Sequence, residues 1–362
     1  MRLVLIAGGI ALFLSFVLTP LFANYLRARG LAQAIRESDD RVQYPDHQHK
    51  VGTPGMGGAV ILFSMLIGYI AAHIITLRAP SYAAYLAIFV TLGFGLVGFA
   101  DDYLKVFKQR SMGIRKSSKL IGQAVIAISF AFLALQNPDP GIFNPSNSVM
   151  APASQAISIV RDTAWSLPFL IFILWVLFLF TATTNAVNLT DGLDGLATGA
   201  AVMSFGAYTV ISLWQYGQLC QYELSPRCYN VADPFDLAVF AAAFTGALFG
   251  FLWHNTSPAR IIMGDTGSLA IGGGLASLAI MSKTQLLLPF IAGLFVIITL
   301  SSIIQIVVFR TSGKRFFKMA PLHHHFEILG WHEITIVVRF WLIQGVLVAL
   351  GVGLFYSEWV RQ

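Results

Sequence analysis

Ten apolar stretches, each close to the roughly 20 residues a helix needs to cross about 30 Å of hydrocarbon, run through this sequence. They lie at about 3–23, 55–77, 82–100, 119–136, 166–187, 195–214, 236–253, 267–282, 285–309 and 335–355. Lipid offers no partner for backbone N–H and C=O groups, so such spans are helices or strands of a closed barrel. Barrel strands alternate polar and apolar residues, and these continuous runs do not. The chain is therefore expected to be an all-α polytopic membrane protein, a single integral-membrane domain over residues 1–362. Only 11% of its residues are charged, against about 25% in soluble domains, which excludes a soluble enzyme of this length.

Ten spans put both termini on one side, and the basic residues say which, because cytoplasmic loops collect Lys and Arg. The loops after spans 1, 3, 7 and 9, with Lys119 and Arg339 at the edges of their spans, hold 17 of the 23 Lys and Arg. The other side holds Arg2, Arg78, Arg161, Arg227, Lys283 and Arg361, so both termini are expected outside. Seven of the eight His, all but His73, and 11 of the 17 Asp and Glu join the basic face. Topogenesis and attraction to anionic lipid account for any single Lys or Arg. The concentration of every ionisable type on one face marks that face as the working one.

The first span follows Met1 without a small-residue cleavage site and reads as a retained helix and not a signal peptide. Cys220 and Cys228 share the outside loop 215–235, where a disulfide and two free thiols are both open. The other long outside loop, 137–165, is rich in Pro, Asn, Ser and Ala and reads as an irregular connector. Gly93-Phe94-Gly95-Leu96-Val97-Gly98 fits the dinucleotide fingerprint, but it lies inside a span with no strand before it. Close packing of helices through small residues explains it better, as it does Gly272, Gly273 and Gly274. The run Gly55-Met56-Gly57-Gly58 suits packing and a phosphate-facing turn equally.

Four polar clusters punctuate the basic face. At the inner end of span 3, Phe99-Ala100-Asp101-Asp102-Tyr103 places two adjacent carboxylates at the membrane boundary, where acids are costly. Neighbours on a helix point about 100° apart, so one can serve a reaction while the other binds a Lys or caps structure. Between spans 5 and 6, Asn185 to Gly195 supplies two Asn, a Thr and two Asp, each Asp followed by Gly, which suits a tight loop folded around a ligand as well as an Asx-capped turn. The segment His254 to Arg260 leads into Met263-Gly264-Asp265-Thr266-Gly267-Ser268. There Asp265 is placed both to cap a helix and to hold Mg²⁺ bound to a phosphate. Pro321-Leu322-His323-His324-His325-Phe326-Glu327 lacks the Cys or the HExxH spacing of a zinc site, while its imidazoles suit hydrogen bonding to phosphate. Together the clusters form the inventory for Mg²⁺-assisted phosphoryl transfer between a lipid phosphate and a soluble anionic substrate.

At these residues the chain resembles the phospho-N-acetylmuramoyl-pentapeptide transferases, within the polyprenyl-phosphate N-acetylhexosamine-1-phosphate transferase superfamily. The resemblance covers nearly the whole chain and rests on His49 to Gly58, Gly98 to Tyr103, Asn185 to Gly195, Met263-Gly264-Asp265 and Met319 to His325. It implies transfer of phospho-MurNAc-pentapeptide from UDP-MurNAc-pentapeptide to undecaprenyl phosphate, giving lipid I and UMP in the bacterial plasma membrane. It further implies that Asp265 binds Mg²⁺ and that Asp101 deprotonates the lipid phosphate or acts as a nucleophile. Asp102, Asp191 and His324 would support the catalytic site. Lys50, Thr53, Asn188, Asp194, Asn255, Gln305 and His325 would contact the nucleotide-sugar substrate, Lys116 and Lys119 would contact phosphate, and the protein would pair as a homodimer. Two positions depart from the family pattern: Ile262 stands where a Phe often stacks on uracil, and Gly55 where Thr is common.

The triple His favours the muramoyl-pentapeptide branch over the UDP-GlcNAc branch, which differs in the sugar and not in the reaction. A secondary transporter is the rival of another class, but transporters place ionisable groups near the midplane on broken helices, and these lie at the span ends.

Overall fold

In the computed structural model, residues 1–31, 52–108, 113–136, 150–221 and 228–361 are described. Nine helices among them are long and apolar enough to cross a membrane: α1 (Arg2–Ala28), α2 (Gly58–Thr76), α3 (Tyr82–Phe107), α4 (Lys116–Ala134), α5 (Phe169–Thr190), α6 (Leu196–Gly217), α7 (Pro234–Asn255), α10 (Gly293–Ser312) and α12 (Glu333–Arg361). The chain is a multi-pass, predominantly α-helical membrane protein.

The tenth expected span is α8 (Gly264–Met281), and it differs in kind. Glycines, serines and an aspartate dilute its apolar character, yet Thr266 to Met281 are all buried. It is wrapped mainly by α3 and α5, with α2 and α6 also against it. Small residues let these backbones approach closely. A Cβ at Gly273 would lie 2.7 Å from the Phe94 ring, and one at Gly272 would collide with the Thr184 backbone. Around this axis Phe94 stacks on Phe180 at 5.4 Å between centroids, and Phe205 on Phe244 at 4.2 Å. Gly93 and Gly95 pack against Ile126 and Leu62, so the fingerprint match is a packing surface.

Several expectations are corrected. The loop expected to be an irregular connector contains an antiparallel hairpin, β1 (Ala156–Ser158) with β2 (Asp162–Ser166). It is strapped to the turn after α8, where Lys283 pairs with Asp162 at 2.6 Å and Ser158 receives the Gln285 and Leu286 amides. Span 9 is interrupted: a four-residue helix, α9 (Leu288–Ile291), breaks at Ala292 before α10. The buried Gln344 amide on α12 bridges that break, accepting from Leu294 N–H and donating to the Ile291 carbonyl. The three His lie on a short helix, α11 (Leu322–Ile328). Cys220 and Cys228, left open above, form a disulfide.

Candidate active site

α3 continues past Asp101 and Asp102 to Phe107, so both carboxylates project from helix and meet the first turn of α8. Asp101, Asp102 and Asp265 each place an oxygen within 4.8 Å of the others. Three carboxylates so close repel strongly unless cations join them. Lys105, one turn after Asp101, reaches Asp101 Oδ2 at 2.5 Å and Asp265 Oδ2 at 3.0 Å. Lys119, from α4, reaches Asp265 Oδ2 at 2.8 Å. Asn188 at the end of α5 donates through Nδ2 to Asp265 Oδ1 (2.7 Å) and to Ser268 Oγ (2.9 Å). Ile114 N–H donates to Asp101 Oδ1 at 2.7 Å. That contact needs Gly113, whose φ is +57° and whose Cβ would strike the Asp101 carboxylate.

The approach of α8 to its neighbours rests on glycines. A Cβ at Gly98 would collide with the Asp265 carbonyl, and one at Gly58 with Gly267. Gly57 N–H donates to the Ile262 carbonyl (2.9 Å), Gly58 N–H to that of Met263 (2.8 Å), and Ile262 N–H to Pro54 (2.9 Å). Gly57 and Gly58 are thus spent on packing and on strapping the entry to α8, and the backbone of Ile262 is part of that strap.

The remaining candidates surround this centre. Asp191 caps the end of α5. Burial, then the charges of Asp265 and Asp102, push its carboxyl up to about 8, against the pull of a hydrogen bond from the Gly264 backbone. Asp194 accepts from Ala259 N–H at 3.0 Å, and its own N–H donates to Glu333 Oε1 at 2.8 Å. Asn255 accepts from Thr198 and donates to the Ile261 carbonyl. Gln305 accepts the amides of Phe316 and Phe317 and donates to the Phe317 carbonyl. His324 Nδ1 lies 2.5 Å from Glu327 Oε2, and His325 Nδ1 accepts from Lys318 N–H at 3.1 Å. Thr53 is half-buried and Lys116 is exposed at the start of α4, while Lys50 lies outside the described residues.

The structure therefore gathers Asp101, Asp102, Lys119, Asn188 and Asp265 into direct contact. It gives Asn255, Gln305 and His325 backbone partners in neighbouring segments. Sequence reasoning missed Lys105, Thr266 and Ser268. Lys105 was readable as the i+4 partner of Asp101 on a helix; the two hydroxyls carried no signal separable from an ordinary first turn.

An all-oxygen set of this size suits a hard divalent cation, and the buried cluster can hold one. The chain is similar over its full length to curated transferases. A phospho-N-acetylmuramoyl-pentapeptide-transferase of Streptomyces griseus is 51% identical over 366 residues, covering 100% of both chains. The corresponding protein of Cutibacterium acnes is 49% identical, with 99% of each chain covered. This chain belongs to that family. The profile of glycosyl transferase family 4 matches residues 82–283, the part that carries Asp101, Asp102, Asn188 and Asp265. One more relative, from an Arthrobacter strain, is 51% identical over 98% of each chain.

Proposed function

We propose that this protein transfers phospho-MurNAc-pentapeptide from UDP-MurNAc-pentapeptide to undecaprenyl phosphate, releasing UMP and forming lipid I. The observation that carries the reading is the meeting of three carboxylates and two lysines where α3, α4 and α8 converge. Full-length identity near one half to transferases of that name supports it. The cluster would face the cytoplasm of a bacterial plasma membrane, the side rich in Lys and Arg. The disulfide at Cys220–Cys228 fits the oxidising side opposite.

A lipid phosphate oxygen attacks the sugar-linked phosphorus of the nucleotide substrate; the new P–O bond forms as the bond to UMP breaks. Asp265 and Asp101 would hold Mg²⁺, which when bound offsets charge on the pyrophosphate and on the departing UMP. Lys105 and Lys119 place two ammonium groups at the carboxylates, within reach of phosphate oxygens. Asn188 orients the Asp265 carboxylate through its Oδ1 contact. Asp101 can accept the proton of a monoanionic lipid phosphate, but the second phosphate pKa is near 6, so most of that proton is already gone at neutral pH. Charge positioning therefore outweighs proton removal. Asp191 and His324 would support the site. Lys50, Thr53, Lys116, Asp194 and His325 would contact the nucleotide sugar, with Asn255 and Gln305 acting through the segments they tie. Homodimer assembly is part of the same reading.

The test is UMP release by detergent-purified protein with undecaprenyl phosphate and Mg²⁺, comparing UDP-MurNAc-pentapeptide with UDP-GlcNAc. Release from the former alone is expected. Release from UDP-GlcNAc alone moves the protein to the sister branch, and release from neither by folded protein refutes the transferase reading. Light scattering in detergent reads the mass of a dimer or a monomer.

A further inference from the structure

The two neighbouring aspartates of α3 are spent on different partners. Asp101 turns to Lys105 and to the Ile114 amide. Asp102, 5% exposed, turns to the first turn of α8. Its Oδ1 accepts from Asp265 N–H at 3.1 Å, and its Oδ2 accepts from Thr266 N–H at 2.8 Å and Thr266 Oγ1 at 2.6 Å.

The first N–H groups of a helix have no partner within it, and the residue before α8, Met263, supplies no side-chain cap. Asp102 fills that role from another helix, across 163 residues of sequence. Glycines admit it. Gly264, at φ +77°, would as any other residue bring a Cβ to 2.7 Å from Asp102 Oδ2. Gly98, one turn before Asp102 on the same face of α3, lets that helix close on the Asp265 carbonyl. The lone pairs decide what is left over. Each carboxylate oxygen accepts about two hydrogen bonds, so Oδ2 is filled and Oδ1 half filled by α8 itself.

We infer that Asp102 is a positioning residue: it caps α8 from α3 and so fixes where Asp265 stands relative to Asp101, without itself ligating the metal or carrying a proton. This rests on the function proposed above. Misplacing a reacting group by ~1 Å costs about 100-fold in rate, which sets the scale of what the cap protects.

The experiment compares Asp102→Asn, Thr266→Val and Asp265→Asn in the full-length, detergent-purified protein. It measures kcat, KM for UDP-MurNAc-pentapeptide, Mn²⁺ binding by electron paramagnetic resonance, and amide exchange over residues 261–270. Asp102→Asn should lower kcat about tenfold or more while KM and Mn²⁺ affinity stay within about threefold of wild type and the Asp265 and Thr266 amides exchange faster. Thr266→Val, which removes one of the three donors and leaves Asp102 in place, should shift the same quantities less. Asp265→Asn should lose Mn²⁺ binding. The inference is overturned if Asp102→Asn loses Mn²⁺ as Asp265→Asn does, since Asp102 is then a ligand. It is equally overturned if kcat stays within about twofold of wild type in both cap variants. Should Asp102→Asn not fold, Thr266→Val decides alone: an unchanged kcat overturns the cap, and a lowered kcat with Mn²⁺ retained upholds it. Wild-type protein that releases no UMP refutes the function instead, and the Mn²⁺ and exchange readouts still judge the cap.

Discussion

Two buried carboxylate centres sit at opposite ends of the bundle, and they meet the cost of buried charge in different ways. At the far end from the candidate active site, Asp236 of α7 accepts from Tyr69 Oη (2.9 Å) and Ser81 N–H (2.6 Å), and His73 Nε2 lies 2.9 Å from its other oxygen. His73 Nδ1 in turn lies 2.8 Å from the Arg78 carbonyl. One acid is thus matched by three donors from α2 and from the entry to α3, and a cavity of about 470 Å³ opens beside it. The α3–α8 centre sets three acids against two lysines. One end is a closed clasp; the other keeps an excess of negative charge that a cation can answer.

The contrast breaks first at the acids themselves. Asp265→Asn and Asp101→Asn should each lower UMP release by about 100- to 1000-fold while thermal unfolding in detergent stays near wild type; near-normal turnover in either removes its assigned role. Asp236→Ala should do the reverse. Orphaning its donors costs about 3–5 kcal/mol of stability, read as a lower melting temperature, while kcat per folded molecule is retained. A fall in kcat at unchanged stability would join the two ends functionally.

Gly98→Ala probes the close approach of α3 to α8. The added methyl must push the Asp265 carbonyl, an overpacking cost of about 1–3 kcal/mol, and kcat should fall in step. Gly206→Ala on α6, which meets nothing within 4 Å, is the control and should be silent.

The smallest effect is one of pH. Because the folded state holds the Asp191 proton up to about pH 8 while the unfolded chain releases it near pH 4, stability contributed by the neutral carboxyl is lost as pH rises between those values. The slope is at most about 1.4 kcal/mol per pH unit. Asp191→Asn should flatten the melting temperature between pH 6 and 7, and an unchanged slope would place the charge elsewhere.

Much of the architecture was legible because lipid permits so little. A 22-residue apolar run such as 169–190 has one available structure, and nine spans appear near their expected places. The candidate site was legible in its membership: Asp101, Asn188 and Asp265 stand out as polar residues at the ends of apolar helices. Its division of labour was not. Nothing local distinguishes Asp101 from Asp102, whose partners lie on α8. The break at Ala292 was hidden because Gln344, which satisfies it, lies on another helix. The His73–Asp236 clasp likewise joins residues 163 apart.

The burial of α8 bears on how the protein is made. Arriving at the membrane by itself, this glycine- and serine-rich segment is not among the nine helices long and apolar enough to cross it, and it carries Asp265 with it. What retains it is the packed groove offered by α2, α3, α5 and α6, all of which precede it in the chain. The acid that α8 brings to the candidate active site thus rides on a helix packed against four that precede it, which ties assembly of that site to correct insertion of the chain.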